Sequence, residues 1–207
     1  MKVIKAGYEI MDHVDGDEIL KKIELCGRVC YKSEDRITSD SAKRFVKSLI
    51  DRGHESVLEH VSITVRFIVD RGVSHELVRH RIASYSQESS RYVNYENKEI
   101  EFIKPCFLKE NDKDIHWLSW VASMETAEHR YHFMLYTGMT PEQARSVLPN
   151  SLKTEVVTTM NLRAWRNFFK LRTGKQAHPQ MREVAIPLLE EFKKLVPVIF
   201  DDIKGEC

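Results

Sequence analysis

The sequence of 207 residues contains none of the glycine-rich patterns that commonly hold nucleotides. It lacks both Gly-x-Gly-x-x-Gly, the dinucleotide pattern of Rossmann folds, and Gly-x-x-x-x-Gly-Lys-(Ser/Thr), the phosphate loop of many NTPases. Its four cysteines include no Cys-x-x-Cys pair, which argues against a zinc knuckle or a dithiol redox centre. No apolar run approaches the length of a membrane span, so we expect no membrane segment. A nucleotide bound by this chain would therefore have to be held by arginines and hydroxyl groups.

A large excess of charge of either sign is also lacking. The chain has 32 Lys and Arg against 31 Asp and Glu, a formal net charge of +1. Its surface as a whole would not attract nucleic acid, and any anion site must be a local cluster.

Cys26 and Cys30 lie four apart on the apolar stripe of a predicted helix, where we expect them to pack in the core as reduced thiols. Reduced cysteines, and an N-terminal segment too short and interrupted for a signal peptide, predict a cytoplasmic protein.

Internal repeats, low-complexity tracts and flexible linkers are absent as well, which predicts a single domain over residues 1–207. The clearest strand is the alternation of Val61, Ile63, Val65, Phe67 and Val69 with more polar neighbours. Because strands and helices mix without a βαβ rhythm, the fold class is α+β. Apolar periodicity and capping signals place helices at about 17–31, 42–50, 74–79, 120–138, from 140, 161–173 and 183–196, and strands at about 3–8, 61–69, 99–103 and 152–160.

Residues 79–92, here called the signature segment, carry the densest supply of hydrogen-bond donors. The segment reads Arg79-His80-Arg81-Ile82-Ala83-Ser84-Tyr85-Ser86-Gln87-Glu88-Ser89-Ser90-Arg91-Tyr92. Guanidinium groups are forked and permanently charged, and they grip phosphate at two points, while serine hydroxyls can complete such a cradle. The segment could otherwise be a solvated charged loop.

Two further clusters leave alternatives open. The stretch His54-Glu55-Ser56-x-x-Glu59-His60 could be a metal site or a structural turn, although its two histidines lack the helical spacing of a metal pair. On the predicted helix 161–173, Arg172 continues the apolar stripe of Leu162, Trp165 and Phe169. Arg172 could reach into a pocket or could simply complement the helix dipole. Arg163 and Asn167 are four apart and share an adjacent face of the same helix.

Taken together, these clusters resemble the flavin-dependent thymidylate synthase family. The family signature is Arg-His-Arg, a short polar spacer and Ser-x-Arg-Tyr, and the chain matches it with Arg79, His80, Arg81, Ser89, Arg91 and Tyr92. The elements His-Glu-Ser, Ala-Arg-x-x-Leu-Pro and Asn-x-Arg also occur in the family's order, so the resemblance runs from residue 54 to residue 172. It implies helices packed on a central antiparallel sheet. It also implies reductive methylation of dUMP to dTMP, with methylenetetrahydrofolate as carbon donor, FAD as redox cofactor and NADPH as reductant, in a homotetramer whose subunits share the sites.

The resemblance also implies the site residues. It assigns catalysis to Arg172, which would contact the pyrimidine and help to ionise its N3. It assigns cofactor binding to His54, Ser56, Arg79, His80, Arg81, Gln87, Asn161, Arg163 and Asn167. It assigns substrate binding to Glu76, Arg79, Gln87, Glu88, Ser89, Ser90, Arg91, Arg145 and Arg172. The chain departs from some members at Gln87, where they have Glu, at Glu76, where they have Gln, and at His178, which is displaced and receives no assignment.

Two other readings remain. Arginines interleaved with tyrosines could mark a module that binds single-stranded nucleic acid, although the near-zero net charge disfavours it. A catalytically silent homologue could retain only nucleotide binding. We expect no metal, no nucleic-acid partner and no membrane partner. We also expect Cys106 not to be catalytic, because nothing in the sequence around it indicates a lowered thiol pKa.

Overall fold

The computed structural model describes residues 1–205 and confirms the α+β class. The helices are α1 (Gly16–Tyr31), α2 (Ser41–Asp51), α3 (Arg71–Leu77), α4 (Ile115–Tyr136), α5 (Pro141–Ala144), α6 (Leu162–Arg172) and α7 (Pro179–Leu195). The strands are β1 (Lys2–Ile4), β2 (Gly7–Ile10), β3 (Ser62–Asp70), β4 (Ala83–Gln87), β5 (Glu101–Ile103) and β6 (Lys153–Asn161). Short 3₁₀ helices lie at Glu34–Arg36, Glu55–His60 and Arg145–Val147. No helix within residues 1–205 is long and apolar enough to cross a lipid bilayer.

The main sheet has the strand order β2-β3-β6-β4, and β1 pairs with β5 in parallel in a second, two-stranded sheet. β3 and β6 are antiparallel, because the N–H of Leu162 donates to the carbonyl of Val61 at one end and that of Arg71 donates to Leu152 at the other. The alternation seen in the sequence of β3 is realised, since every second residue from Ile63 onwards is buried. The central antiparallel sheet is therefore confirmed.

The chain divides into two compact units, each assembled from separate stretches. The first unit contains Met1–Gly7, Phe67–Arg79 and Tyr85–Val157, and the second contains Tyr8–Arg66, His80–Ser84 and Thr158–Cys207. Ile100, Phe102, Met124, Tyr131 and Leu152 belong to the core of the first unit. In the second, α6 packs against α7 and buries an aromatic cluster with ring centroids 5.2 to 5.7 Å apart, formed by Trp165, Phe169, Phe192 and Phe200. The prediction of one domain over residues 1–207 stays a prediction.

Capping explains where the predicted boundaries were wrong. α3 begins at Arg71, not near residue 74, because the carboxylate of Asp70 accepts from the N–H of Val73 at 2.7 Å. α4 likewise begins earlier than expected, behind the cap of Asp114, and α7 begins behind His178 with proline at its first position. Asp70 both ends β3 and caps α3, and the sequence pattern indicated only the end of the strand.

The sequence suggested that the signature segment is a loop, but part of it forms a strand. Residues 83–87 form the edge strand β4, whose side chains alternate between half-buried and exposed. The N–H of Glu88, just beyond the strand, donates to the carbonyl of Glu155 at 2.9 Å. A polar stretch can pair in this way because backbone hydrogen bonds do not depend on side-chain polarity.

The expected burial of the helical thiols was wrong for Cys30, which is exposed, while Cys26 is partly buried. The buried face of α1 instead runs through Leu20, Ile23 and Gly27. A Cβ on Gly27 would lie 2.7 Å from the ring of Phe45, so α1 and α2 approach closely along this line and leave Cys30 to one side. Cys207 lies outside the described residues.

Candidate functional site

In the second unit, residues 54–56 form a turn just after the end of α2, here called the 54–56 turn. Gly53 has φ of +71°, and its N–H donates to the carbonyl of Ile50. The N–H of His54 donates to the carbonyl of Leu49 at 2.8 Å, which completes a Schellman motif. The chain then enters the 3₁₀ helix Glu55–His60. The left-handed glycine thus fixes the direction in which the turn leaves α2.

A first cavity, of about 300 Å³, is lined by this turn and the end of α1. His54, Ser56 and Arg163, all predicted cofactor contacts, lie on its wall together with Glu55 and Tyr31. The hydroxyl of Tyr31 lies 3.2 Å from Nδ1 of His54. The structure therefore brings together residues that are more than 100 positions apart in the sequence.

A second cavity, of about 400 Å³, shares Glu55 and Arg163 with the first. Four predicted cofactor residues line it: Arg81, Asn161, Arg163 and Asn167. α6 explains their placement, because Asn161 caps the helix through a 2.8 Å bond from the N–H of Ala164, and Arg163 and Asn167 follow on its exposed face.

The wall of this second cavity carries more positive than negative charge. Its cations are Arg81, Arg163 and Lys170, and its carboxylates are Glu55 and Glu59. Arg163 donates to Glu59 at 2.6 Å and Lys170 lies 3.6 Å from Glu55, so two of these cations have anionic partners. The arrangement suits an anionic ligand that carries hydrogen-bonding groups.

At the C-terminal end of α6, Arg172 donates through Nε to Nε2 of His80 at 2.8 Å. His80 is buried and meets the ring of Phe168 edge-on at 5.1 Å. Burial, and secondarily the charge of Arg172, lower the pKa of His80 to about 4. The imidazole is therefore neutral at physiological pH, with Nε2 as acceptor and the proton on Nδ1. A neutral acceptor orients the guanidinium of Arg172 without cancelling its charge.

In the first unit, the predicted substrate residues on either side of the end of β4 are held by polar contacts. Gln87 donates through Nε2 to Ser74 Oγ at 3.0 Å and to Thr154 Oγ1 at 3.3 Å. The carboxylate of Glu88 accepts from Tyr95 Oη and from Lys153 Nζ, both at 3.2 Å. These contacts fix the stretch that leads into Ser89.

The same unit brings Arg145 to the signature segment. Arg145 follows α5, whose capping box joins Thr140 and Gln143, and its Nη1 donates to Ser90 Oγ at 3.1 Å. The N–H of Arg91 donates to Ser89 Oγ at 3.3 Å, and its guanidinium pairs with Glu142 at 3.1 Å at the surface. Arg145 therefore contacts the signature segment at Ser90, whereas the guanidinium of Arg91 is paired with a carboxylate, and the phosphate role of these residues stays a prediction.

Two predicted residues lie at the end of α3. Glu76 is on its last turn, and the N–H of Arg79, whose side chain is exposed, donates to the carbonyl of Glu76 at 3.4 Å. Their roles, and the convergence of Arg172 with the substrate residues, stay predictions.

Sequence reasoning missed the residues that hold the predicted ones in place. Lys153 and Tyr95 bind Glu88, and Glu142 pairs with Arg91, yet none of these partners has a local motif. Arg166 had a usable signal, because it lies four residues after Leu162 and so continues the buried face of α6. An arginine on an apolar face predicts carboxylates opposite it.

The comparisons with known proteins agree with these observations. The chain matches the family model "Thymidylate synthase complementing protein" over residues 9–198. It is 33% identical over 192 residues to a flavin-dependent thymidylate synthase of Geobacter sulfurreducens, covering 89% of this chain and 82% of that protein. It is 39% identical over 176 residues to one of Pyrococcus abyssi, covering 81% and 70%.

Its fold is similar to a solved structure. The UMP/dUMP methylase PolB of Streptomyces cacaoi, bound with 5-Br dUMP, superposes with a TM-score of 0.80 at 24% identity, over 97% of this chain and 96% of that one. This likeness concerns the fold, whereas the family match and the two relatives span most of the sequence itself. The chain therefore belongs to the flavin-dependent thymidylate synthases, a family of enzymes.

Proposed function

We propose that the protein methylates dUMP to dTMP reductively, with FAD as cofactor, methylenetetrahydrofolate as carbon donor and NADPH as reductant. The observation that carries this proposal is the gathering of six predicted flavin residues around two cavities that share Arg163. Those residues are His54, Ser56, Arg81, Asn161, Arg163 and Asn167.

The donor set fits FAD chemically. Arg81 and Arg163 offer guanidinium forks to a pyrophosphate, and the amides of Asn161 and Asn167 can both donate and accept. His54 and Ser56 add polar groups next to the ring of Tyr31. When bound, FAD would supply the hydride and one-carbon chemistry, which no side chain of the protein can provide.

The protein itself would bind, orient and polarise the nucleotide. Ser89, Ser90, Arg91 and Arg145 would hold the phosphate and sugar of dUMP. In support, Arg145 donates to the hydroxyl of Ser90, and the main-chain N–H of Arg91 donates to that of Ser89. Arg172 would stabilise negative charge on the pyrimidine, with its guanidinium oriented by neutral His80. Catalysis would then rest on positioning and electrostatics, and no protein nucleophile would attack the uracil.

We further propose that the enzyme is a cytoplasmic homotetramer with sites completed by neighbouring subunits. Free thiols at Cys26, Cys30 and Cys106 fit a reducing compartment. Exposed apolar side chains on α4, such as Ile115, Phe133 and Tyr136, offer surface for a subunit contact.

The test is turnover by purified protein. We expect a yellow preparation that oxidises NADPH only when both dUMP and methylenetetrahydrofolate are present, and that forms dTMP. Omitting each ligand in turn is the control. Protein that binds FAD and dUMP but forms no dTMP would identify a silent homologue. Protein that fails to bind added FAD would contradict the proposal outright.

A further inference from the structure

Arg166 is almost completely buried on α6, next to the predicted flavin contact Asn167. Its Nε donates to Glu55 at 3.0 Å, and its Nη1 and Nη2 each donate to one oxygen of Asp202 at 2.7 Å. Nη1 also donates to the main-chain carbonyl of Ile199. Two carboxylates and a carbonyl thus fix the planar guanidinium in one orientation.

The charges in this network are maintained by its own contacts. Burial alone would favour a neutral Arg166, but the hydrogen bond and charge of Asp202, followed by those of Glu55, raise its pKa. The hydrogen bond from Arg166 in turn holds the pKa of Asp202 below its usual range, against the opposing effect of burial. Arg166 and Asp202 therefore stay ionised at neutral pH.

Glu55 connects the buried network to the candidate cofactor site. It lies between His54 and Ser56 in the 54–56 turn, and it lines both cavities of the second unit. Lys170, also on α6, approaches it at 3.6 Å. Two cations one helical turn apart therefore hold this carboxylate, and the turn cannot shift without breaking those contacts.

We propose that Glu55, Arg166 and Asp202 form a positioning network that holds the 54–56 turn in the geometry that binds FAD. This inference rests on the proposed function, because it takes the 54–56 turn as part of the flavin site. Arg166 acts through Glu55, and the segment that carries Ile199 and Asp202 fixes Arg166 from the other side.

Removing Arg166 is a poor test, because two carboxylates would lose their buried partner and the protein would lose much of its stability. The substitution Glu55→Gln is a more specific test of the network. It keeps the shape of the side chain and an acceptor for Nε, but it removes the charge that attracts Arg166 and Lys170. Asp51→Asn is the matched control, since this carboxylate is exposed in the same unit and pairs with Lys47 in a surface contact.

The experiment titrates FAD into the apoproteins and dUMP into the same samples, with melting temperatures recorded alongside. For Glu55→Gln we expect the Kd for FAD to rise by about tenfold, as small displacements of binding groups do, while the Kd for dUMP stays within about twofold. Asp51→Asn should change neither. An unchanged Kd for FAD, or an equal loss of FAD and dUMP binding, would overturn the proposal by showing that the network only stabilises the fold.

A second variant covers the case in which Glu55→Gln does not fold. The side chain of Asp202 is 49% exposed, so Asp202→Asn leaves no deeply buried charge unpaired, because Arg166 keeps its pair with Glu55. We expect a smaller but selective loss of FAD affinity, of about threefold, and an unchanged affinity would overturn the proposal. Failure of the wild-type protein to bind FAD is a different result: it would overturn the proposed function and this inference with it.

Discussion

At the scale of single residues, Arg172 is a permanently charged group held in a defined orientation. Its Nε donates to Nε2 of His80 at 2.8 Å, and the neutral imidazole leaves the guanidinium charged. Lysine could not reproduce this contact, because its ammonium is a compact point charge and not a planar fork. The side chain is therefore arranged as an oriented electrostatic group.

This arrangement predicts the effect of Arg172→Ala. We expect kcat to fall by about 100- to 1,000-fold, as when one preorganised donor is removed from an active site, while the Kd for FAD stays within about twofold. Steady-state kinetics and a flavin titration measure the two quantities. Lys175→Ala removes an exposed cation just beyond α6 and should leave both unchanged. If Arg172→Ala unfolded instead, the residue would be structural.

The same scale shows what a sequence can reveal about a site. The spacing of Arg163 and Asn167 was sufficient to place both on one exposed face of α6, and the structure has them on one cavity wall. Pairing across long sequence separations was not predictable. Arg91 and Glu142 are an example, because charge complementarity alone does not choose among the 31 acidic residues of the chain.

At the scale of secondary structure, the predictions succeeded where periodicity was strong and failed at the start of α3, which periodicity did not indicate. β3 and α6 lie within a residue or two of their predicted bounds, because alternation and the apolar stripe are properties of many side chains. The start of α3 depends on one carboxylate, that of Asp70. β4 escaped detection because an edge strand needs only backbone pairing on one side.

β6 offers a test of how an element supports the candidate substrate residues. Lys153, at its start, binds Glu155 at 2.7 Å and Glu88 at 3.2 Å. Burial opposes its charge, but the hydrogen bonds to Glu155 and Glu88 outweigh this and raise its pKa. The lysine thus ties the stretch that contains Ser89 to the central sheet.

Lys153→Met should leave three carboxylates, those of Glu88, Glu101 and Glu155, without their shared cation. We expect the free energy of unfolding to fall by about 1–2 kcal/mol, less than for a fully buried pair because Glu155 is partly exposed. Denaturant melts measure it. Lys2→Met, which breaks an exposed pair with Glu101, should cost less than about 0.5 kcal/mol. Equal losses for both variants would contradict a special role for Lys153.

At the scale of the whole molecule, the predicted site residues divide unevenly between the compact units. Seven of the nine predicted cofactor residues belong to the second unit and most of the predicted substrate residues to the first, while the signature segment supplies residues to both. Sequence periodicity could not reveal this division, because it depends on contacts between distant stretches of the chain. The sequence motifs did indicate the candidate site residues, since they follow the family pattern in order.

Global stability should respond to the titration of a single buried residue, His80. In the folded protein its pKa is about 4, against an ordinary value of 6.5. Between these two values the unfolded chain binds a proton that the folded chain does not. The free energy of unfolding therefore falls as the pH drops from about 6.5 to about 4, and the contribution is fully present only above that window. The loss attributable to His80 is about 3 kcal/mol.

His80→Gln separates this contribution from others. Glutamine cannot titrate, yet its amide oxygen can accept from Nε of Arg172 in place of Nε2. We expect the variant to lose the slope of unfolding free energy against pH between about 6.5 and 4, as measured by urea melts at fixed ionic strength. His13→Gln, at an exposed position, should keep the wild-type slope. The carboxylate of Asp202, whose folded pKa is held low by Arg166, contributes stability that is fully present above its unfolded pKa of about 3.8 and is lost only below it, so its acid loss falls in a lower window. A His80→Gln profile identical to that of the wild type would mean that His80 has the same pKa in the folded and unfolded states, which would contradict a buried neutral acceptor for Arg172.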